Sequence, residues 1–281
     1  MQPTPFCRAP AHRLGVLALV AWTASSLAAC SKDGSDEGND KVVTIGVVAP
    51  LDAGLTEFGL GIRDSVELAV QQANAADLLP GWTLQVKAVD DSSDPVVGAE
   101  NVVALTDDPT VAAVIGTYNS GVAVVVAPLL EEVGIAMVSP ANTDPTLTIG
   151  ADPTQPQRQF SNYYRMVATD ADQGGFLAQY LLDDTTLRRV AIITDEKPVS
   201  KGLADDFSAK FTENGGTVDT YEVVPKGDTD YAAYAERAAA GNPDLLFFGG
   251  EYDNAALVKK AAVAAGLTVP LMGGDGIQAQ G

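Results

Sequence analysis

Short apolar runs rich in β-branched residues recur along the chain, separated by stretches with helical spacing. Val42 to Val48 (VVTIGVV) is the first. A run of this length bounded by turn residues reads as a buried strand. The same pattern predicts strands at Leu84 to Val89, Val111 to Ile115, Ile135 to Ser139, Tyr163 to Val167, Val190 to Thr194, Thr217 to Val223, Asp244 to Phe248 and Pro270 to Met272. Between the first two, Ile62, Val66, Ala69, Val70 and Ala73 recur at the three-and-four spacing of one helix face. Further helices are expected over Pro95 to Thr106 and Ala127 to Val133, and near Gln173–Leu182, Lys201–Asn214, Tyr231–Ala240 and Asn254–Ala264. Pro suits a first helical turn and breaks an interior, so Pro95 and Pro128 are both placed in first turns.

Apolar strands alternating with helices imply parallel sheets covered on both faces. The irregular stretch Pro140 to Asn162 divides two such units. The expected fold is α/β, with two doubly wound parallel-sheet lobes, residues 42–167 and 168–281. In such sheets ligands sit beyond the carboxyl ends of strands, beside helix N-termini. The candidate loops are Ala49–Gly59, Gly116–Gly121, Ser139–Thr148, Asp195–Gly202, Gly249–Asp253 and Gly273–Gly276.

The segment before the first strand breaks the alternation. Arg8, His12 and Arg13 precede an apolar run, Leu14 to Ala24, which is too short to span a bilayer of about 30 Å. Small residues follow, then Leu27-Ala28-Ala29-Cys30. This is the layout of a secretory signal over residues 1–29. Its end resembles the bacterial lipobox, which implies cleavage before Cys30 and acylation of that thiol. An ordinary signal with a chance Cys is the alternative. Ser31 to Lys41 has no apolar residue and reads as a solvated tether, so 30–41 would join a lipid anchor to the folded part. The expected location is periplasmic or otherwise extracytoplasmic, on a bacterial membrane.

Charge and missing residue types narrow the chemistry. The 281 residues carry a formal charge of −20. Loss of Arg8 and Arg13 with the signal would make the remainder more acidic still. Such a field repels phosphates, so no nucleic-acid partner is expected. His12 is the only His, and Cys7 and Cys30 are the only Cys. A mature chain without His builds neither a Ser-His-Asp centre nor a His metal site. One remaining Cys makes no internal disulfide or thiolate cluster. No phosphate loop of the GxxxxGK[ST] kind occurs, and no cofactor or metal is expected.

An ordered set of short motifs then carries a resemblance. These are Asp90-Asp91-Ser92-Ser93-Asp94-Pro95, Val114-Ile115-Gly116, Val133-Gly134-Ile135, and Ser139-Pro140-Ala141-Asn142-Thr143. Tyr164-Arg165, Asp170 to Gly174, Phe247 to Gly250 and Gly273 to Gly276 continue it. Together they resemble the branched-chain amino-acid-binding proteins of ABC transporters, from about Val42 to the end. The resemblance implies a two-lobed receptor, not an enzyme, that closes on a free amino acid or related amide and hands it to a membrane permease. It implies that Ser120 meets the ligand carboxylate, with Ala141 and Thr143 as a backbone-and-hydroxyl pair on the next loop. Asp275 would meet the ammonium, and Tyr118, Asn119, Asn142 and Phe58 would line the side-chain pocket. Asp170 matches an acidic position near the crossover between lobes.

Each position also has a plainer use. Ser120 would cap the following helix equally well. If it serves the ligand alone, its loss should hardly move the melting temperature of the empty protein. Thr143 and Asp275 suit turns, and Phe58 suits a core. Asp90, Asp91 and Asp94 look like a paired-carboxylate site but read better as a strand end and a helix cap. Glu251 and Val199 depart from the resembled family, which commonly has aromatic residues there. A buried unpaired Glu251 would be costly, so it should turn to solvent or meet a ligand with an extra donor or positive charge. Ser93 and Asn119 stand where some members carry a disulfide. Members also continue beyond the position of Gly281, so the second lobe is expected to be incomplete. A sensing receptor of the same fold, and a surface enzyme using paired carboxylates, are the competing readings.

Overall fold

A computed structural model describes residues 41–152, 154–225 and 227–278. The signal-like segment, Cys30 and nearly all of the tether lie outside the described residues.

The first lobe is built on β1 (Lys41–Ala49), β2 (Trp82–Asp90), β3 (Val111–Gly116), β4 (Ala136–Ser139) and β5 (Tyr163–Arg165). These form one five-stranded sheet, in the order β2-β1-β3-β4-β5, with every pair parallel. The second lobe carries β6 (Arg189–Asp195), β7 (Thr217–Val224), β8 (Leu245–Gly249) and β9 (Leu271–Gly273). Their order is β7-β6-β8-β9, again all parallel. Parallel neighbours need crossover helices, which cover both faces. In β1 the end nearest the loop is fully buried, at Val47, Val48 and Ala49.

The crossovers are α1 (Thr56–Ala75), α2 (Pro95–Thr106), α3 (Ser120–Glu132) and the short α4 (Thr146–Ile149) in the first lobe. Those of the second are α5 (Asp170–Asp184), α6 (Pro198–Glu213), α7 (Ala232–Ala240) and α8 (Tyr252–Ala264), with a short 3-10 turn at Asp275–Ile277. One core joins Val114, Met137 and Tyr163 of the first sheet to Leu130 of α3. In the second lobe Phe207 stacks on Phe247, with centroids 4.0 Å apart, and Phe211 stacks on Phe207. Burying one such ring contributes about 1.5–3 kcal/mol, so these rings alone outweigh most surface contacts.

Three expectations change. The helix expected from Ala127 begins at Ser120, which places Pro128 inside it. Proline costs a helix interior about 3 kcal/mol through its missing N–H. Burial of Val122, Ala123, Val126, Ala127 and Leu130 offsets that loss. Secondly, α1 starts at Thr56, within the expected loop, so Phe58 lies in a first helical turn. The close approach is possible because residue 59 is Gly: a Cβ there would fall 1.8 Å from the Pro50 carbonyl oxygen. Lastly, β5 stops at Arg165 rather than Val167.

Among the described residues no helix is long and apolar enough to cross a membrane. Asp94 is the N-cap of α2, its carboxylate accepting from the N–H groups of Val96 and Val97 at 2.8 and 3.3 Å. Asp90 accepts from the N–H groups of Leu51, Asp52 and Ser92. Asp90 thus closes a strand and Asp94 opens a helix, as expected of a strand end and a cap.

Candidate functional site

The carboxyl ends of β3, β4, β6, β8 and β9 surround one cavity of about 200 Å³. The loop after β3 supplies Tyr118 and Asn119, and α3 opens with Ser120 and Gly121. The loop after β4 supplies Ala141 and Thr143, and α5 opens with Asp170. From the second lobe come Lys197, Val199 and Ser200 at the start of α6, Glu251 before α8, and Asp275 after β9.

The first-lobe wall is held by its own polar groups. Ser139 Oγ donates to the Thr117 carbonyl at 2.9 Å and accepts from the N–H groups of Ala141 and Asn142. Asn142 Nδ2 donates to the carbonyls of Thr117 (3.0 Å) and Tyr118 (2.8 Å), while its Oδ1 accepts from the Tyr163 hydroxyl. Arg165 donates to the carbonyls of Asn142 and Asp144. Two loops from neighbouring strands are thereby tied into one rigid rim.

Ser120 is buried, with Asn119 rather than Ser120 as N-cap, and no side chain caps α3. Its Oγ accepts from the N–H groups of Thr143 (3.2 Å) and Asp144 (3.3 Å). With two donors on its lone pairs, the hydroxyl proton is left to donate. An uncapped helix start with a donating hydroxyl favours an anion. The same contacts overturn the expectation that removing Ser120 spares the empty protein, because two backbone N–H groups would lose their acceptor.

Asp170 is bound to the rim through its own N–H, which donates to the Thr143 carbonyl at 2.9 Å. Burial pushes its carboxyl up to about 7, opposed by a hydrogen bond from the Thr143 side chain and helped by the charges of Asp275, Asp144 and Asp206. Asp275 is exposed, and its N–H donates to Gln173 Oε1 at 3.1 Å.

Glu251 does not turn to solvent, and it is not unpaired. It is half-buried against Lys197, whose ammonium touches its carboxylate, and Asn119 Nδ2 donates to Glu251 Oε1 at 3.1 Å. Burial pushes the Glu251 carboxyl up, against the pull of the Lys197 ammonium. Burial alone would lower Lys197, but the Glu251, Asp195 and Asp253 carboxylates together outweigh it and leave the ammonium held more tightly than usual. Lys197 also lies 3.7 Å from Asp195. Sequence reasoning missed Lys197. The available signal was topological: β6 and β8 are adjacent strands, so the loops after them must meet.

Most of the expected residues converge. Ser120, Ala141, Thr143, Asp275, Glu251, Tyr118, Asn119 and Val199 line the cavity. Phe58 and Asn142 do not. Asn142 is fully buried behind the rim. Phe58 lines a wider groove of about 740 Å³ that shares Tyr118, Ala141 and Asp275 with the cavity. It stacks on Tyr118 at 4.6 Å and meets Tyr252 edge-on at 5.3 Å. We take the smaller cavity as the site because the helix starts and charged groups gather there. Among the described residues no three metal-ligating side chains converge.

Comparison with known proteins agrees with this architecture. Residues 42–280 match a family model described as periplasmic binding protein. Leu/Ile/Val-binding protein homolog 3 of Brucella melitensis biotype 1 is 32% identical over 235 residues, covering 84% of this chain and 61% of the relative. The chain thus spans about three-fifths of that relative's length. A leucine binding protein, LivK, of Thermotoga maritima superposes with a TM-score of 0.75 at 29% identity, over 84% of this chain and 64% of that one. The branched-chain amino acid transporter substrate binding protein LivJ of Streptococcus pneumoniae, solved with isoleucine, gives 0.75 at 25% identity, over 84% and 65%.

Proposed function

Because this chain belongs to the periplasmic binding protein family, we propose that it is a solute receptor which closes its two lobes on a free amino acid, branched-chain or related, or on an amide. It would deliver that ligand to the permease of an ABC importer. The observation that carries the reading is the polarity of the cavity. An uncapped helix start and the Ser120 hydroxyl stand at one wall, and the Asp275 carboxylate stands in the other lobe. A zwitterion needs donors for its carboxylate and acceptors for its ammonium, and each such charge-assisted bond is worth about 1.5–3 kcal/mol. Thr143 and Ala141 on the rim, Tyr118 and Val199 on the walls, are the further contacts in this reading.

The acidic surface and the absence of His from the chain after its first strand argue for binding rather than turnover. Acylation of Cys30 would hold the receptor on the outer side of a bacterial membrane, with residues 31–41 as its tether. Calorimetric titration with the common amino acids and short amides tests the reading. One or more should bind saturably without being consumed; no response to any of them would refute it. For the anchor, incorporation of labelled palmitate should be lost in Cys30→Ser.

A further inference from the structure

One end of the cavity is built for something other than an aliphatic side chain. Ser93 and Asn119 face it from the first lobe, Lys197 and Glu251 from the second. A carboxylate only accepts, so Asn119 must turn its amide nitrogen toward Glu251, as it does at 3.1 Å. That leaves Asn119 Oδ1 as the remaining acceptor of the amide. This oxygen is buried and has no hydrogen-bond partner among the described residues. Ser93 Oγ is in the same condition, and so is Asp195 Oδ2.

Lys197 cannot satisfy them all. Its ammonium is already shared between Glu251 and Asp195, the latter at 3.7 Å. Two carboxylates therefore stand against one cation, beside a lone amide oxygen. Asn119 Oδ1 and Asp195 Oδ2 can only accept and Ser93 Oγ can do either, so the unmet capacity of this end is mainly for donors. A leucine-type side chain would supply none and would strip water from the ion pair. An acidic side chain would compete with two carboxylates for one ammonium, inside a chain of net charge −20.

We infer that the site takes an amino acid whose side chain ends in a nitrogen hydrogen-bond donor, a carboxamide or a cationic group, in preference to leucine, isoleucine or valine. The inference rests on the amino-acid-receptor reading above and narrows its ligand. A carboxamide would donate toward Asn119 Oδ1 and accept from Lys197. A cation would add charge opposite Glu251, with the buried Asp195 behind Lys197.

Calorimetry of the unmodified chain with leucine, glutamine, lysine and glutamate decides it. Glutamine or lysine should bind about tenfold tighter than leucine, and which of the two leads tells the neutral donor from the cation. Leucine or glutamate binding tightest would overturn the inference and leave the receptor reading standing. No binding by any amino acid would overturn both. Replacing the ion pair by apolar groups, Lys197→Met with Glu251→Leu, should reverse the order in favour of leucine. An unchanged order in that variant would show that these groups do not choose the ligand. Should the double variant not fold, Asn119→Leu separates the same two cases: donor-bearing ligands should weaken about fivefold or more and leucine should not. Equal weakening of both would overturn the assignment of Asn119.

Discussion

Replacing Asp170 by Asn should flatten the dependence of stability on pH. The Asp170 side chain is 2% exposed at the first position of α5. Two influences oppose there. The helix start favours the anion by about 0.3–1 kcal/mol. Burial disfavours it by more and, with the neighbouring carboxylates, sets the carboxyl at about 7. In the unfolded chain it titrates near 3.9. A raised pKa means that the folded state keeps its proton while the unfolded state has lost it. The contribution is therefore complete below about pH 4 and is lost as pH rises toward 7. Between pH 5 and pH 8 the two titration curves diverge by about 2.5 kcal/mol. For a chain of this size that is a fall in Tm of about 5–10 °C. Urea unfolding at both values, with and without Asp170→Asn, measures it. The original chain should lose about 2.5 kcal/mol more than the variant across this window. Equal losses would mean that Asp170 is ionised when buried, and that the rim compensates it.

Three further substitutions test separate links. Ser120→Ala should weaken ligand binding by about 1–3 kcal/mol and also lower the Tm of the empty protein, since the N–H groups of Thr143 and Asp144 lose their acceptor; calorimetry and thermal melting read the two effects. Gly59→Ala should destabilise by about 1–3 kcal/mol in urea, because its Cβ would collide with the Pro50 carbonyl at 1.8 Å. Asp94→Ala should cost about 1 kcal/mol in urea unfolding by uncapping α2.

The strands were legible because β-branched runs such as Val42 to Val48 have few other uses, and their alternation with helices implied the parallel order. The start of α3 was not legible. Val122, Val124, Val125 and Val126 have low helix propensity, and Pro128 looks like a boundary; only tertiary burial of one face settles the helix. In the site, the positions after strands could be located, because strand ends converge in this kind of sheet. Lys197 lay within the candidate loop Asp195–Gly202, but a single lysine before a proline has no pattern, and only the adjacency of β6 and β8 brings it to a partner 54 residues away. Asn142 was placed on the correct loop with its side chain facing the wrong way. Loop position fixes proximity, whereas the direction of a side chain depends on which backbone groups need a donor.

The aromatic contact of Phe58, Tyr118 and Tyr252 joins side chains from both lobes, and the Tyr252 hydroxyl donates to Glu57 of α1. Its consequence is optical. Trp82 begins the edge strand β2 of the first sheet, with the Lys41 ammonium 5.1 Å from its ring. Trp82 lines neither the cavity nor the groove, so its fluorescence should respond little to a ligand there. An indole introduced as Tyr252→Trp would instead sit at the junction itself, and its emission would test whether the lobes move when a ligand is added.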